Sequence, residues 1–505
     1  MIKLINCLLT ILLIGNLFAQ IQTDLEWPTL ADSDWPMIKH DPQFTGRSPY
    51  KGPQTPTIIW TADMKDGIFS GPVIGEEGNL YFGSYYQLDN ADHFYSYTPD
   101  GIFRWDYKLG TNRPPQSGIL IDSSNTIYFG SLDGYFYALN PDGTLKWKYL
   151  TSNPIVELAM PNIDREGRLY ITNGQGELYS INPDGTLNWN VQYDDGFFAR
   201  SPAFSPDGNT IYIAGKDSNI YAINLDGTLQ WKFSVIETDK APLVDSNGNI
   251  YFDSGYNLYC LFPDGSIKWI FDDFVMGSYS MPTIDKNGNI YAIGFERSQQ
   301  GVEKLLVSIN YSGNLNWKYT FDFIEPDDYW QPLICDSERT VYVGSTFGNY
   351  YYAISSNGEL KWKLPLNDYQ VDNTGAIAKD GTLYIGVHKS SLATNQQKTL
   401  IAIKDTGTVG IKDNIFEILN YHLEQNYPNP FNPSTTINYS IKEKGFVQLK
   451  VYDVLGKEIA TLVNEEKQQG KYSVSFNGSN LPSGIYVYSI RINNFQQNRK
   501  MILLK

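Results

Sequence analysis

Eight tryptophans recur along this chain at a nearly fixed interval: Trp60, Trp105, Trp147, Trp189, Trp231, Trp269, Trp317 and Trp362. The intervals are 45, 42, 42, 42, 38, 48 and 45 residues. A period in the low forties, filled with short strands and turns, is the repeat of a β-propeller blade. Residues 117–147 show one unit. Gly118–Asp122 reads as a short apolar strand, Thr126–Gly130 as a second, Tyr135–Leu139 as a third, and Thr144–Lys148 as a fourth that carries the tryptophan. In the turn Asn140-Pro-Asp-Gly143, Pro141 presets φ and Gly143 accepts the left-handed conformation. The same turn recurs at Thr98–Gly101, Asn182–Gly185, Asn224–Gly227, Phe262–Gly265 and, weakened, Ser356–Gly358.

The opening strand of each unit is equally regular: GPVI from Gly71, SGIL from Ser117, MPNI from Met160, SPAF from Ser201, APLV from Ala241, MPTI from Met281, QPLI from Gln331 and TGAI from Thr374. The eighth unit lacks a tryptophan strand after Thr399–Ile403, whereas Ile58–Thr61 is a tryptophan strand with no unit before it. Closure predicts that these two strands pair in one sheet, because an open ring would leave long unpaired edges. The expected fold is all-β: an eight-bladed β-propeller over residues 57–407, followed by a small C-terminal β-sandwich.

The wording of the units, P-x-x-D…G-x-[IL]-Y…Y-A-[IL]-N-x-D-G-x-L-x-W, resembles the pyrroloquinoline-quinone (PQQ) repeat family of propellers across about residues 57–407. That resemblance implies the fold. The family holds quinoprotein dehydrogenases and also cofactor-free propellers such as the outer-membrane assembly lipoprotein. Its dehydrogenases stack a vicinal cysteine pair on the cofactor, and this chain has no adjacent cysteines, so PQQ is not expected. Cys260 and Cys335 read instead as buried free thiols on strands. Turns such as Asp245-Ser-Asn-Gly-Asn249 are similar in composition to calcium loops but lack the downstream bidentate Glu, and they are expected to be hairpin turns. No cofactor is expected.

Residues 1–19 read as a signal peptide, with Lys3 ahead of an apolar run from about Leu8 to Phe18 and Ala19 before Gln20. No comparable apolar stretch follows, so no transmembrane segment is expected in the mature chain. Charge is uneven. Residues 20–422 hold 28 Lys/Arg and 49 Asp/Glu, a net of −21, whereas residues 423–505 hold 10 and 6, a net of +4. A body this acidic will not track phosphates, which excludes nucleic acid as a partner.

After a linker at 408–422, residues 423–505 alternate apolar and polar runs broken by Gly, Asn and Pro, as in a β-sandwich. The string N-Y-P-N-P-F-N-P, with L-P-S-G-I-Y and a terminal K-M-I-L-L-K, resembles the C-terminal sorting domain of the type IX secretion system. The resemblance implies an address read by the outer-membrane exporter, export through the periplasm, and a final location in the medium or on the outer cell surface.

A tryptophan in one strand register of every blade packs between neighbouring blades, and each indole is expected to be buried there. Tyr128, Tyr170, Tyr212, Tyr251 and Tyr291 share that structural reading. Trp27 and Trp35 fall in the lead-in, residues 20–56, which is expected to pack across the ring. Trp330 is left unexplained by the repeat. If the P-x-x strand is innermost, the loops before it ring the mouth of the channel, and these loops vary most from unit to unit. Variable loops on an invariant scaffold are where binding resides. They carry Arg113, Glu157, Asp194, Asp195, Phe197, Arg200, Lys240, Tyr279, Asp327, Asp328, Tyr329, Trp330 and Asp372. Aromatic faces beside carboxylates suit a carbohydrate or a polar segment of a surface protein. No H-E-x-x-H, C-x-x-C-H or G-x-S-x-G is present, and no catalytic or metal-binding set is assigned. The expected function is an exported binding module. The alternative is a secreted enzyme, either a quinoprotein oxidoreductase or a polysaccharide-cleaving propeller.

Overall fold

The computed structural model describes residues 21–405 and 422–504, apart from 65–67, 69, 85–91, 156–158, 193–200, 216, 237, 239, 277–280, 299–300, 322–331, 346–349, 367–368, 372–373, 390–397, 424–425, 427, 442–443, 455, 468–469 and 494. The signal-peptide residues 1–19 therefore lie outside the described residues. The chain divides into two compact units, 1–412 and 413–505.

In the first unit the described strands form eight antiparallel sheets. Seven span 73–108, 119–150, 162–191, 203–234, 243–271, 275–320 and 334–365 in chain order. The eighth joins strands from 369–404 to Thr57–Met64, with Trp60 opposite Ala402 and Thr57 opposite Lys404. The chain's first strand thus completes its last sheet, as the unpaired tryptophan strand required.

One side-chain pattern runs through all eight sheets. The tyrosine of the second strand, a small residue of the third and the tryptophan of the fourth stand side by side, as in Tyr128, Ala138 and Trp147. The small position is Ser96, Ala138, Ser180, Ala222, Cys260, Ser308, Ala353 or Ala402. Because that residue is short, the two large rings meet over it, with centroids 5.7–5.9 Å apart in every sheet. Cys260 is buried because it occupies this slot, and Cys335 is buried on an opening strand.

Each tryptophan then latches the next sheet. Its indole N–H donates to a turn carbonyl: Trp60 to Pro99, Trp105 to Pro141, Trp147 to Pro183, Trp189 to Leu225, Trp231 to Pro263, Trp269 to Tyr311 and Trp317 to Ser356. Trp362 donates to Pro53, just before the strand that closes the eighth sheet, so the latches run once around the ring. The turn glycine lies flat on the indole. A Cβ on Gly143, for example, would stand 2.6 Å from the Trp105 ring, and its φ of +85° would strain any side chain. These tryptophans pack between sheets as expected, but the expectation of full burial is corrected. Seven are half-buried, because the fourth strand is the outermost and only the neighbouring turn covers the ring; Trp362, covered by the lead-in at Pro53 in place of a turn, is buried.

The turns between first and second strands, and in the first seven sheets those between third and fourth strands, lie on one face of the ring. On this face the Asp of the first turn gathers donors. Asp245 accepts the N–H groups of Asn247 and Asn249, the Asn249 side-chain amide and the Tyr251 hydroxyl. Asp122, Asp164, Asp285 and Asp336 likewise accept two turn N–H groups and a tyrosine hydroxyl six residues on. These carboxylates hold the turns together.

The lead-in crosses this same face and enters the channel. Its backbone is stitched to the opening strands of successive sheets: Trp35 to Ile74, Pro36 and Ala31 to Ile121, Pro42 to Phe204, Gln43 to Val244, Thr45 to Ile284, and Gly46 to Cys335. Trp27 is buried and donates its indole N–H to Ile163 O, and Trp35 is completely buried. The innermost strands would otherwise present unpaired backbone groups to the channel, so this plug satisfies them.

The second unit is a β-sandwich. One sheet holds His422–Leu423, Ser434–Ile441 and Gly470–Asn477; the other orders Glu458–Lys467, Gly445–Tyr452, Gly484–Ile492 and Phe495–Leu503. His422, the last residue of the expected linker, already pairs with Ser440. The Asn-Pro string is structural. Phe431 is buried and exchanges backbone hydrogen bonds with Ile502 and Leu504, while Asn426 binds Thr435 and the Pro428 carbonyl.

Candidate ligand face

The face opposite the turns carries the connections from each fourth strand to the next opening strand, together with the loops between second and third strands. Of the residues singled out from sequence, Arg113 and Lys240 are described. Arg113 is exposed, in a loop held by Asp92, whose buried carboxylate accepts the N–H groups of Gly110, Thr111 and Asn112. Lys240 is buried rather than solvated. Glu157, Asp194, Asp195, Phe197, Arg200, Tyr279, Asp327, Asp328, Tyr329, Trp330 and Asp372 lie outside the described residues.

Three residues that the sequence did not single out sit just before opening strands, around the channel. Gln116 precedes the strand of the second sheet; it is 1 % exposed, and neither atom of its amide has a hydrogen-bond partner. Thr238 and Thr374, before the strands of the fifth and eighth sheets, are also buried, each with an unpaired hydroxyl. Equivalent serines are spent on the fold: Ser70, Ser117 and Ser201 accept the N–H groups of Gly83, Gly130 and Met160. A buried polar atom without a partner costs about 1–3 kcal/mol, so each of these requires compensation. No sequence signal separates these residues from ordinary loop residues, since short polar side chains begin most of the opening strands.

Within the plug, Lys39 is completely buried. Its ammonium donates to the carbonyls of Pro282 and Leu333, at 2.6 and 2.7 Å, where two opening strands begin. Burial pulls its pKa down to about 7, against the upward pull of Cys335 and Asp41. Lys39, His40 and Phe44 have left-handed backbones (φ of 65°, 75° and 55°), a local cost that a tightly enclosed loop can sustain. Nearer the rim, His93 hydrogen-bonds Asp106 through Nδ1 at 2.6 Å and faces Asp92 at 3.7 Å. Among the described residues no group of His, Cys, Asp and Glu side chains is arranged to hold a metal ion. The arrangement can offer hydrogen bonds to a polar ligand.

Comparison with known proteins decides the second unit first. Residues 425–504 match the secretion system C-terminal sorting domain. The second unit is that sorting domain. With the sorting domain in place, the chain is an exported protein, carried by type IX secretion to the cell surface or released. Among the described residues no helix is long and apolar enough to cross a membrane. Residues 159–321 match the family described as outer membrane protein assembly factor BamB, so the ring carries PQQ-type repeats. The crystal structure of BamB from Moraxella catarrhalis is similar in fold, at 13 % identity and a TM-score of 0.53, covering 70 % of this chain and 100 % of that one. A catalytically inactive virginiamycin B lyase from Staphylococcus aureus, solved with quinupristin, aligns at 14 % identity and a TM-score of 0.41 over 58 % of this chain and 96 % of that one. No curated protein matches. The first unit is a β-propeller.

Proposed function

We propose that the exported propeller is a binding module that takes a polysaccharide, or a polar segment of a surface protein, at the face opposite its turns. One observation carries this reading. The lead-in fills the channel from the turn face, while the other end keeps the buried, unpaired polar atoms of Gln116, Thr238 and Thr374 around it. A ligand bringing hydroxyl or amide groups would satisfy them. Trp330, off the repeat register and preceded by Asp327, Asp328 and Tyr329, is the proposed stacking anchor of that face.

A quinoprotein reading is less well supported. Cys260 fills the small slot beside Trp269, and Cys335 receives a hydrogen bond from Thr283 in another sheet. The two thiols are not neighbours in sequence and do not fit a vicinal pair.

The test is a glycan and peptide array probed with the purified chain, with quinone reconstitution beside it. Binding of a polar polymer is expected, and Trp330→Ala should weaken it about tenfold or more without lowering the melting temperature. Trp231→Ala should instead destabilise the fold. Quinone uptake with redox activity, or array binding unaffected by Trp330→Ala and Gln116→Leu, would overturn the reading.

A further inference from the structure

The two sheets of the sorting domain turn their apolar sides towards one another, so only their outer sides are left for another protein to read. These outer sides differ. On the three-stranded sheet the outward positions are small and polar: Thr436 stands opposite Ser475, and Asn438 opposite Ser473. Alternation sends their neighbours Ile437 and Tyr439 into the core. On the four-stranded sheet one end of the outer side is apolar. Ile485 pairs with Ile502, and Val487, next on the same side of its strand, stands opposite Tyr452. Val454 follows Tyr452 into the turn, and Leu504 follows Ile502 at the end of the last strand. Val454 is 69 % exposed, Leu504 53 %, Ile485 49 % and Ile502 38 %, so these side chains are not spent on the core.

An exposed apolar patch with a polar margin marks a surface that another molecule covers. The margin here is basic. Lys500 stands opposite Val487 and Arg491 opposite Gln448, and both cations are exposed on the same outer side. Residues 423–505 as a whole carry a net charge of +4. A second copy laid on this side would bring Lys500 and Arg491 towards like charges, whereas a partner with an apolar centre and an acidic margin would be drawn to it. The domain already has an obligate partner, since a sorting domain works only by being recognised.

We infer that the type IX exporter grips the sorting domain at this apolar end of the four-stranded sheet, around Ile485 and Ile502, through an apolar surface with an acidic margin. The inference rests on the sorting role of the second unit and not on the ligand face of the propeller. The Ser- and Asn-lined outer side of the other sheet takes no part.

Export of the full chain from cells that carry the exporter tests this, read as the fraction digested by protease added to intact cells plus the fraction released to the medium. Ile485→Thr combined with Ile502→Thr keeps β-branched residues on both strands while removing apolar surface. This double variant should lower the exported fraction about tenfold, with periplasmic accumulation and an unchanged melting temperature of the purified chain. Should it melt early, Lys500→Glu decides instead, because it inverts the margin without touching the core, and it should also reduce export. Ser473→Lys combined with Ser475→Lys, on the other outer side, should export normally. Normal export of the deciding variant, an equal loss from the Ser473 and Ser475 variant, or dimers of the purified chain that the deciding variant dissolves would each overturn the inference. Deletion of 423–505 separates the two possible failures. Surface exposure of the truncated chain would sink the sorting role itself, whereas its retention beside normal export of the deciding variant would sink only the assignment of this surface.

Discussion

At the residue scale the ring rests on a tyrosine, a small residue and a tryptophan placed abreast in every sheet. The small residue sets how closely the rings approach, which makes it the sensitive member of the set. Ala222→Leu should therefore destabilise the propeller by about 1–3 kcal/mol through overpacking, read as a lower urea midpoint. Cys260→Ser should cost less, since Ser96, Ser180 and Ser308 already fill that slot, and an equal loss in both variants would contradict the packing argument. The tyrosines also set the alkaline limit. Burial pushes Tyr212 up to about 12, and the Asp207 carboxylate adds to the shift. Unfolded, a phenol ionises near 10, so the unfolded state holds fewer protons than the native state above that pH. This contribution is fully present below pH 10 and is lost as pH rises through 12. Urea midpoints should fall between those values, and Tyr212→Phe should lessen the fall.

At the scale of elements, the repeat made most of the ring legible. Trp60 without a unit and a last unit without a tryptophan pointed to the pairing of Trp60 with Ala402. Turn chemistry located the hairpins, although Asn310–Gly313 passed unnoticed because Tyr311 and Ser312 stand where Pro and Asp are usual. The plug was far less legible. It has no periodicity, and Lys39 meets Pro282 and Leu333 more than two hundred residues away, a contact that no local pattern encodes. The alternation of the outer strands also has a protective reading: Lys146 and Lys148, both exposed, flank Trp147 on an outer strand and discourage sheet-to-sheet association. For the plug itself, the linkage runs opposite to that of the tyrosines. With a pKa of about 7 in the native state, Lys39 binds fewer protons than it does unfolded, so its contribution to stability rises with pH from about 7 towards 10. Lys39→Met should flatten that rise in urea midpoints, and an unchanged slope would show that Lys39 stays charged throughout.

At the scale of the whole molecule, two units with separate cores divide the labour. The sorting domain has its own sandwich core around Phe431, Tyr488 and Ile490, so removing residues 423–505 should leave the propeller folded. Cells carrying that truncation should retain it in the periplasm, and its digestion by protease added to intact cells would contradict the sorting role. The central claim concerns the other unit: a ring plugged from its turn face that binds at the opposite face. Hydrogen–deuterium exchange on the full chain, with and without the best polymer from the array, tests it most directly. Protection of the segments around Gln116, Thr238, Thr374 and 322–331 is the predicted result. Protection confined to the turn face, or none anywhere while the polymer is bound, would contradict it.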